Sequence, residues 1–269
     1  MSTRVALGIE YDGSKYFGFQ KQKSTEETIQ GYLEDSISKV ADHSVKTFCS
    51  GRTDSGVHAL GQVGHSDLKY NWESKSLIHA LSYHVKPYPI AITKAAKVSE
   101  NFHARFSARK RYYNYLFLVR NVPQIFNKYR FWNIKNTLDI PKMQEASGYL
   151  IGTHDFQTFR SSICQAKSSV KTIDKIEINS TLGHMFNVDE EVISIRIEAR
   201  SFLHNQVRSI VGSLFKIGNK SWNVKKMKEI LELKDRKACG PVAPPEGLYL
   251  EKVDYDSCPF QKRNNLFKH

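Results

Sequence analysis

Cys49-Ser50-Gly51-Arg52-Thr53-Asp54-Ser55-Gly56-Val57-His58-Ala59-Leu60-Gly61 is the stretch on which the reading of this chain turns. Ahead of it, Val45 to Phe48 is a short apolar run that predicts a strand. Behind it, Gln62 to His65 resumes strand character, so the residues between are a loop slung from two strands. Gly51 and Gly56 permit backbone angles that other residues resist, and a tight turn there holds the Asp54 side chain toward a cleft. Arg52, two residues before Asp54, either favours the ionised carboxylate or holds a phosphate nearby. On these residues alone the string also fits an ordinary polar turn with a surface ion pair.

The remainder of the chain sets bounds on that choice. Its 269 residues allow one large domain or two of ordinary size. With 40% hydrophobic and 12% aromatic residues it has enough apolar surface for packed cores. Lys and Arg number 40 against 27 Asp and Glu, a net charge of +13 that suits a polyanionic partner through steering and counterion release. Cys49, Cys164, Cys239 and Cys258 are scattered, with neither a C-x-x-C pair nor the His spacing of a structural zinc site, so no metal is expected. The N-terminus has no signal-peptide pattern, and no apolar run approaches membrane-spanning length. A soluble, cytoplasmic protein without membrane contact is the expectation.

In chain order, Val5 to Tyr11 alternates as a strand and Asp12-Gly13 ends it. Tyr16, Phe17 and Phe19 follow beside lysines, a pattern that serves either nucleic acid or the packing of a loop on a sheet edge. Ser24 with Glu27 fits a capping box for a helix with Ile29, Tyr32, Leu33, Ile37 and Val40 on one face. Leu77, Ile78, Leu81 and Val85 predict a second helix, cut off by Pro87 and Pro89, and Ile90 to Val98 a strand. Pro141 opens a helix through Leu150, and His154-Asp155 reads as a loop or cap. Strands are expected at Val170 to Asn179 and Val192 to Ala199, with Gly183 in their connection. Helices follow from Phe202 to Gly218 and through Val224, Met227, Ile230 and Leu231, then a strand from Gly247 to Val253. A cation near a helix start gains nothing from the macrodipole, so Arg208 either has a specific anionic partner or faces solvent. The basic tail after Tyr255 is expected to be mobile.

Asn101 to Tyr115 is the densest basic and aromatic segment, with four cations and five aromatics in fifteen residues. Stacking bases on aromatics while cations hold phosphates is how proteins grip unpaired nucleotides. From Arg111 the strand alternation places Arg111, Tyr113, Tyr115 and Phe117 on one face. Tyr115 and Phe117 read as core, and Tyr113, beside the cations, as part of a binding surface.

With these pieces in place the chain resembles the TruA-type family of tRNA pseudouridine synthases over nearly its full length. Gly51-Arg52-Thr53-Asp54-Ser55-Gly56-Val57-His58-Ala59 is the most specific match. Four further matches follow in order: Phe102 to Ala108, Arg111-x-Tyr113-x-Tyr115, Asp155-Phe156-x-x-Phe159-Arg160, and His204-x-x-Val207-Arg208-x-Ile210-Val211-Gly212. The resemblance implies an α/β (α+β) fold of two related halves, here 1–107 and 108–269, whose antiparallel-rich mixed sheets meet at a central active-site cleft. It implies a homodimer that binds tRNA, and isomerisation of uridine to pseudouridine at positions 38, 39 and 40 of the anticodon stem-loop. No cofactor is implied, because detaching the base at N1 and rejoining it through C5 changes no oxidation state. Carried onto this chain, Asp54 is the essential catalytic carboxylate. It attacks the ribose C1′, deprotonates C2′ so that a glycal forms, or adds to C6 of the base, and the residues leave these routes open. Tyr113 matches the tyrosine that stacks on the target uracil and Arg208 the active-site arginine. Arg52 matches the residue linked to displacing the nucleotide, and Phe102, His103, Ala104, Arg105 and Phe106 match an RNA-contacting segment. Ser55 stands where alanine is common. Lys69-Tyr70-Asn71-Trp72 lacks an arginine that some relatives use, and Ser82 to Pro87 differs from an Asn-rich version. A related synthase acting at another RNA site and a catalytically dead RNA-binding protein stand as alternatives.

Overall fold

The computed structural model describes residues 2–23, 25, 27–185 and 188–260. The tail from 261 onward, including most of the basic stretch expected to be mobile, lies outside the described residues. So does Ser24 of the expected capping box. The first helix starts later than that box predicts: α1 (Ile29–Ala41) is capped by Thr28, whose hydroxyl accepts the Gly31 N–H.

The N-terminal half runs β1 (Thr3–Tyr11), α1, β2 (Phe48–Cys49), β3 (His58–Leu68), α2 (Ser74–Val85) and β4 (Ile90–Lys97). That is the order of elements the sequence predicts, with different bounds. The strand expected at Val45 to Phe48 shrinks to two residues, whereas β3 begins immediately after the loop and runs eleven residues. The rest comprises β5 (Ala108–Val119), β6 (Trp132–Ile134), α3 (Ile140–Gly148), β7 (Gly152–Asp155), β8 (Val170–Met185), β9 (Val188–Ala199), α4 (Gln206–Gly218), α5 (Lys225–Leu233) and β10 (Leu248–Tyr255). His154 and Asp155, expected in a loop, lie in β7 and pair with Lys171 and Val170. Asp155 Oδ1 accepts the Gln157 N–H at 3.1 Å, a local turn bond, and the short helical turn Gln157–Phe159 that follows has no side-chain cap. Gly183, expected in a connection, pairs with Glu190 within a long β8–β9 hairpin. The backbone ladder simply continues past the apolar part of both strands, where alternation gives no signal.

All ten strands form one mixed sheet in the order β4-β1-β3-β10-β5-β9-β8-β7, with β2 added on β3 and β6 on β5. Every neighbouring pair is antiparallel except β10 with β3 and β5 with β6. The two halves therefore share a continuous sheet whose seam is the last strand. Register across that seam is informative: Leu250 pairs with Ala59 on one side and with Tyr113 on the other. In-register residues point to the same face, so the end of the Asp54 loop and Tyr113 lie at one level on one side of the sheet. The helices cover that side, and the apolar alternation of β5 and β9 buries Tyr115, Phe117, Ile193, Ile195 and Ile197 against Val207, Ile210 and Leu214 of α4. Tyr115 and Phe117 are fully buried, as their strand positions predict. No helix among the described residues is long and apolar enough to cross a membrane.

Candidate active site

The loop between β2 and β3 is held from below by buried polar groups. Gln62, fully buried on β3, accepts from Ser50 Oγ at 2.6 Å and donates to the Gly51 carbonyl at 2.7 Å. The Tyr11 hydroxyl bonds Thr53 Oγ1 at 2.8 Å. Arg111, almost fully buried on β5, donates to the Ser50 carbonyl through Nε and Nη2, and to the carbonyls of Arg105 and Arg200. Buried polar groups are costly unless paired, so these partners fix where the loop backbone runs.

From above, residues 16–19 clamp it. The Phe19 N–H donates to the Thr53 carbonyl at 3.0 Å, and Ser55 Oγ and the Gly56 N–H both reach the Tyr16 carbonyl. Two glycines make this approach possible. Gly18, at φ +91°, brings its backbone so near Thr53 that a Cβ would sit 2.8 Å from the carbonyl oxygen, and Gly56, at φ +79°, lies as close to Pro245. Tyr16 and Phe19 are core residues and only Phe17 is exposed, so the packing alternative for that aromatic trio holds for two of its three members.

Asp54 projects from this braced loop of the N-terminal half toward residues of the C-terminal half. Arg208, in the first turn of α4, places Nη1 3.4 Å from Asp54 Oδ2, and His204 places Nε2 3.1 Å from Oδ1. Arg208 is itself tethered: Nε donates to the Ala243 carbonyl at 2.7 Å and Nη1 to Asn205 Oδ1 at 3.1 Å. The anionic partner that a cation at a helix start calls for is thus Asp54, whose own charge suits the positive end of α4. Asp54 raises the His204 pKa above its ordinary value by hydrogen bond and charge, against the opposing effects of burial and of Arg208.

Tyr113 is buried, with its ring edge-on to Phe202 at 5.2 Å between centroids. A Cβ on Gly51 would lie 3.7 Å from its hydroxyl. Burial, reinforced by the Asp54 charge, pushes its phenol pKa up, so the hydroxyl keeps its proton. Instead of an open surface, Tyr113 forms the floor beside the Asp54 loop.

The other residues singled out from sequence lie along a path from this centre. Arg52 is exposed and makes no hydrogen bond among the described residues. In the 102–106 segment, Ala104 is buried: its N–H donates to His65 Nδ1 at 3.1 Å and its carbonyl accepts from the Tyr255 hydroxyl. Phe102 and His103 are half-buried and ring the His65 imidazole, which stacks on Phe48. Arg105 and Phe106 point outward, with the guanidinium 5.7 Å from the ring and Phe106 72% exposed. Trp72, in the stretch that departs from the family, is half-buried against the core. His58, from the same motif as Asp54, is a buried brace: its ring stacks on Tyr249 and Nε2 faces the Tyr129 carbonyl. Among the described residues no cluster of three or more His, Cys, Asp or Glu is placed to hold a metal ion.

Sequence reading missed three contributors. His204 was visible within a motif, but nothing in the spacing says that its imidazole meets Asp54. Gln62 bonds groups of the loop just ahead of its own strand, and Arg111 reaches that loop from β5, far along the chain.

Known proteins show the same chain plan. A family model described as tRNA pseudouridine synthase matches residues 8–107 and 146–256. A protein of Roseobacter denitrificans named tRNA pseudouridine synthase A is 46% identical, covering 98% of this chain and 99% of its own length. Proteins with the same name from Ruegeria sp. and Dinoroseobacter shibae are 45% and 46% identical, covering 94% and 96% of this chain and 95% and 98% of their own.

Proposed function

This chain belongs to the tRNA pseudouridine synthase family, and from that premise we propose that it isomerises uridine to pseudouridine at positions 38, 39 and 40 of the tRNA anticodon stem-loop, with Asp54 as its essential carboxylate. It is an isomerase acting on tRNA uridine. In that reaction the N1 glycosidic bond breaks, a C1′–C5 bond forms, the C5 proton leaves and N1 gains one, so no cofactor is required.

One observation carries the assignment to Asp54: a carboxylate on a braced loop, held at both oxygens by His204 and Arg208 beside Tyr113. Each of the three routes needs an ionised, oriented carboxylate beside the sugar, and the contacts from His204 and Arg208 hold its two oxygens in place. A uridine inside a stem must be unstacked first, at a cost of a few kcal/mol. Stacking on Tyr113 returns about 1–3 kcal/mol, and contacts of the basic surface with phosphates contribute further. Arg52 and the segment Phe102, His103, Ala104, Arg105 and Phe106 are the proposed RNA-facing residues, and the outward side chains of Arg52, Arg105 and Phe106 support that reading.

In this reading the two halves divide between residues 107 and 108; the family match pauses after residue 107 and resumes at residue 146. A homodimer in the cytoplasm, one subunit gripping the tRNA body while the other presents its cleft, completes the proposal.

Asp54→Asn is expected to retain tRNA binding and to lose pseudouridine formation, at least ~1000-fold in rate, in a tritium-release assay on an anticodon stem-loop. Turnover at the native rate would remove Asp54 from the mechanism. Mapping pseudouridine in tRNA from a strain lacking the protein tests the positions, since modification persisting at 38, 39 and 40 would assign them to another enzyme.

A further inference from the structure

The two oxygens of Asp54 are held by unequal partners. Arg208 spends its guanidinium mainly on Ala243 and Asn205, at 2.7 and 3.1 Å, and reaches Oδ2 at only 3.4 Å. The closer contact is His204 Nε2 on Oδ1, at 3.1 Å. His204 is in turn fixed by its backbone. Its N–H donates to Cys164 Sγ at 3.4 Å and its carbonyl accepts the Ser161 N–H at 3.1 Å. The next residue, Asn205, adopts the left-handed conformation at φ +62° that turns the chain into α4. A non-glycine residue in that region is uncommon, and Asn205 at this turn also accepts from Arg208 Nη1 through Oδ1.

We propose that His204 is a positioning residue for the isomerisation: its charged imidazole orients the Asp54 carboxylate through Oδ1, and Arg208 alone does not hold it. The proposal rests on Asp54 being the essential carboxylate. The ionisable groups facing the imidazole are Asp54 from the catalytic loop, Arg208 from α4 and Cys164 from the 160–169 loop. Arg160 backs Cys164 from the same loop, donating to the Cys164 and Ala166 carbonyls. Asp54, the strongest of these influences, extends the imidazolium form to higher pH than usual. When the proton leaves, a charge-assisted bond becomes a neutral one of roughly half the strength. Turnover therefore falls as pH rises through the His204 ionisation.

The test is kcat and KM as functions of pH, by tritium release from an anticodon stem-loop RNA, for native protein, His204→Gln, His204→Ala and Asp54→Asn. His204→Gln keeps a hydrogen-bond donor but cannot ionise. It is expected to lower kcat roughly tenfold, with KM within about twofold, and to lack the alkaline limb of the native profile. His204→Ala is expected to lower kcat about 100-fold, in line with the loss of a charge-assisted hydrogen bond. If the alanine variant does not fold, the glutamine variant decides. An alkaline limb that survives in His204→Gln, or a native kcat in either variant, overturns the proposal. Turnover retained by Asp54→Asn instead overturns the reading on which it rests, so the two failures are distinguishable.

Discussion

The Asp54 loop and the 102–106 segment meet at Arg111 and are built on opposite terms. In the loop, Ser50, Gly51, Thr53, Ser55 and Gly56 all have partners fixed by the fold, and both oxygens of Asp54 are engaged. In the segment the backbone is held, through the Ala104 amide and the carbonyls of Phe102, Ala104 and Arg105, and the rings of Phe102 and His103 pack on His65, but the side chains of Arg105 and Phe106 reach into solvent. The difference separates two ways of using side chains. A group that must meet a reacting atom is oriented by folding energy in advance. A group that grips a partner gains its energy only when the partner arrives, and stays free until then.

Arg111 joins the two regions, since its one guanidinium donates to Ser50 in the loop and Arg105 in the segment. Removing it should break the comparison most severely. Burial lowers the Arg111 pKa, yet three carbonyls depend on its charge. Arg111→Met leaves those carbonyls without a donor, at an expected loss of about 3 kcal/mol and a fall in thermal midpoint of roughly 5–10 °C. Scanning calorimetry would show it, together with a fall in kcat. A native midpoint would mean that the loop and the segment are ordered independently.

His65 sharpens the same boundary from the other side. It joins β3 to the segment through the Ala104 N–H, and burial, with help from the charges of His103 and Arg4, pushes its pKa down to about 4. In the unfolded chain it titrates near its ordinary value of 6.5. Between those two values the unfolded state binds more protons, so stability falls as pH drops through the window and the loss levels off below about 4. At pH 5 this amounts to about 2 kcal/mol. His65→Gln, which retains an acceptor for Ala104 without the titration, should lose that share of the acid sensitivity. Urea midpoints at pH 7 and pH 5 for both proteins give the difference. An equal decline in the two would place the acid sensitivity elsewhere.

What the sequence revealed of this arrangement follows the range of the interactions involved. The turn that carries Asp54 is local, and Gly56, at φ +79°, takes the backbone angle its type foretells, whereas Gly51 has no such angle and the loop's clamp depends on Gly18 from another segment. Arg208 is readable because a cation in a first helical turn calls for an anion. The contact of His204 with Asp54 depends on the left-handed turn at Asn205 and on a loop 150 residues away, and no periodicity encodes it. The brace beneath the loop draws Tyr11, Gln62 and Arg111 from three strands, of which β1 and β5 are separated by two others in the sheet. Nor does sequence show that β10 unites the halves, because a short apolar run, Leu248-Tyr249-Leu250, followed by Val253 would suit an edge or a centre equally.

The smallest expected effect lies at the tip of the segment. Phe106 is 72% exposed and, among the described residues, its ring contacts are with His103 and the Arg105 guanidinium, so Phe106→Ala removes little that the fold uses. Stability should change by no more than about 0.5 kcal/mol, as at other surface positions. A base stacked on this ring contributes about 1–3 kcal/mol, and part of that is recovered by the remaining Arg105 and His103. The affinity for an anticodon stem-loop RNA should therefore fall roughly tenfold, by fluorescence anisotropy at fixed salt, while kcat at saturating RNA stays near native. That pattern separates the segment from the loop, where the substitutions lower kcat. A Phe106→Ala protein with native affinity would show that the outward ring is not part of the grip, and a loss of kcat would show that the segment, like the loop, orients the reacting groups.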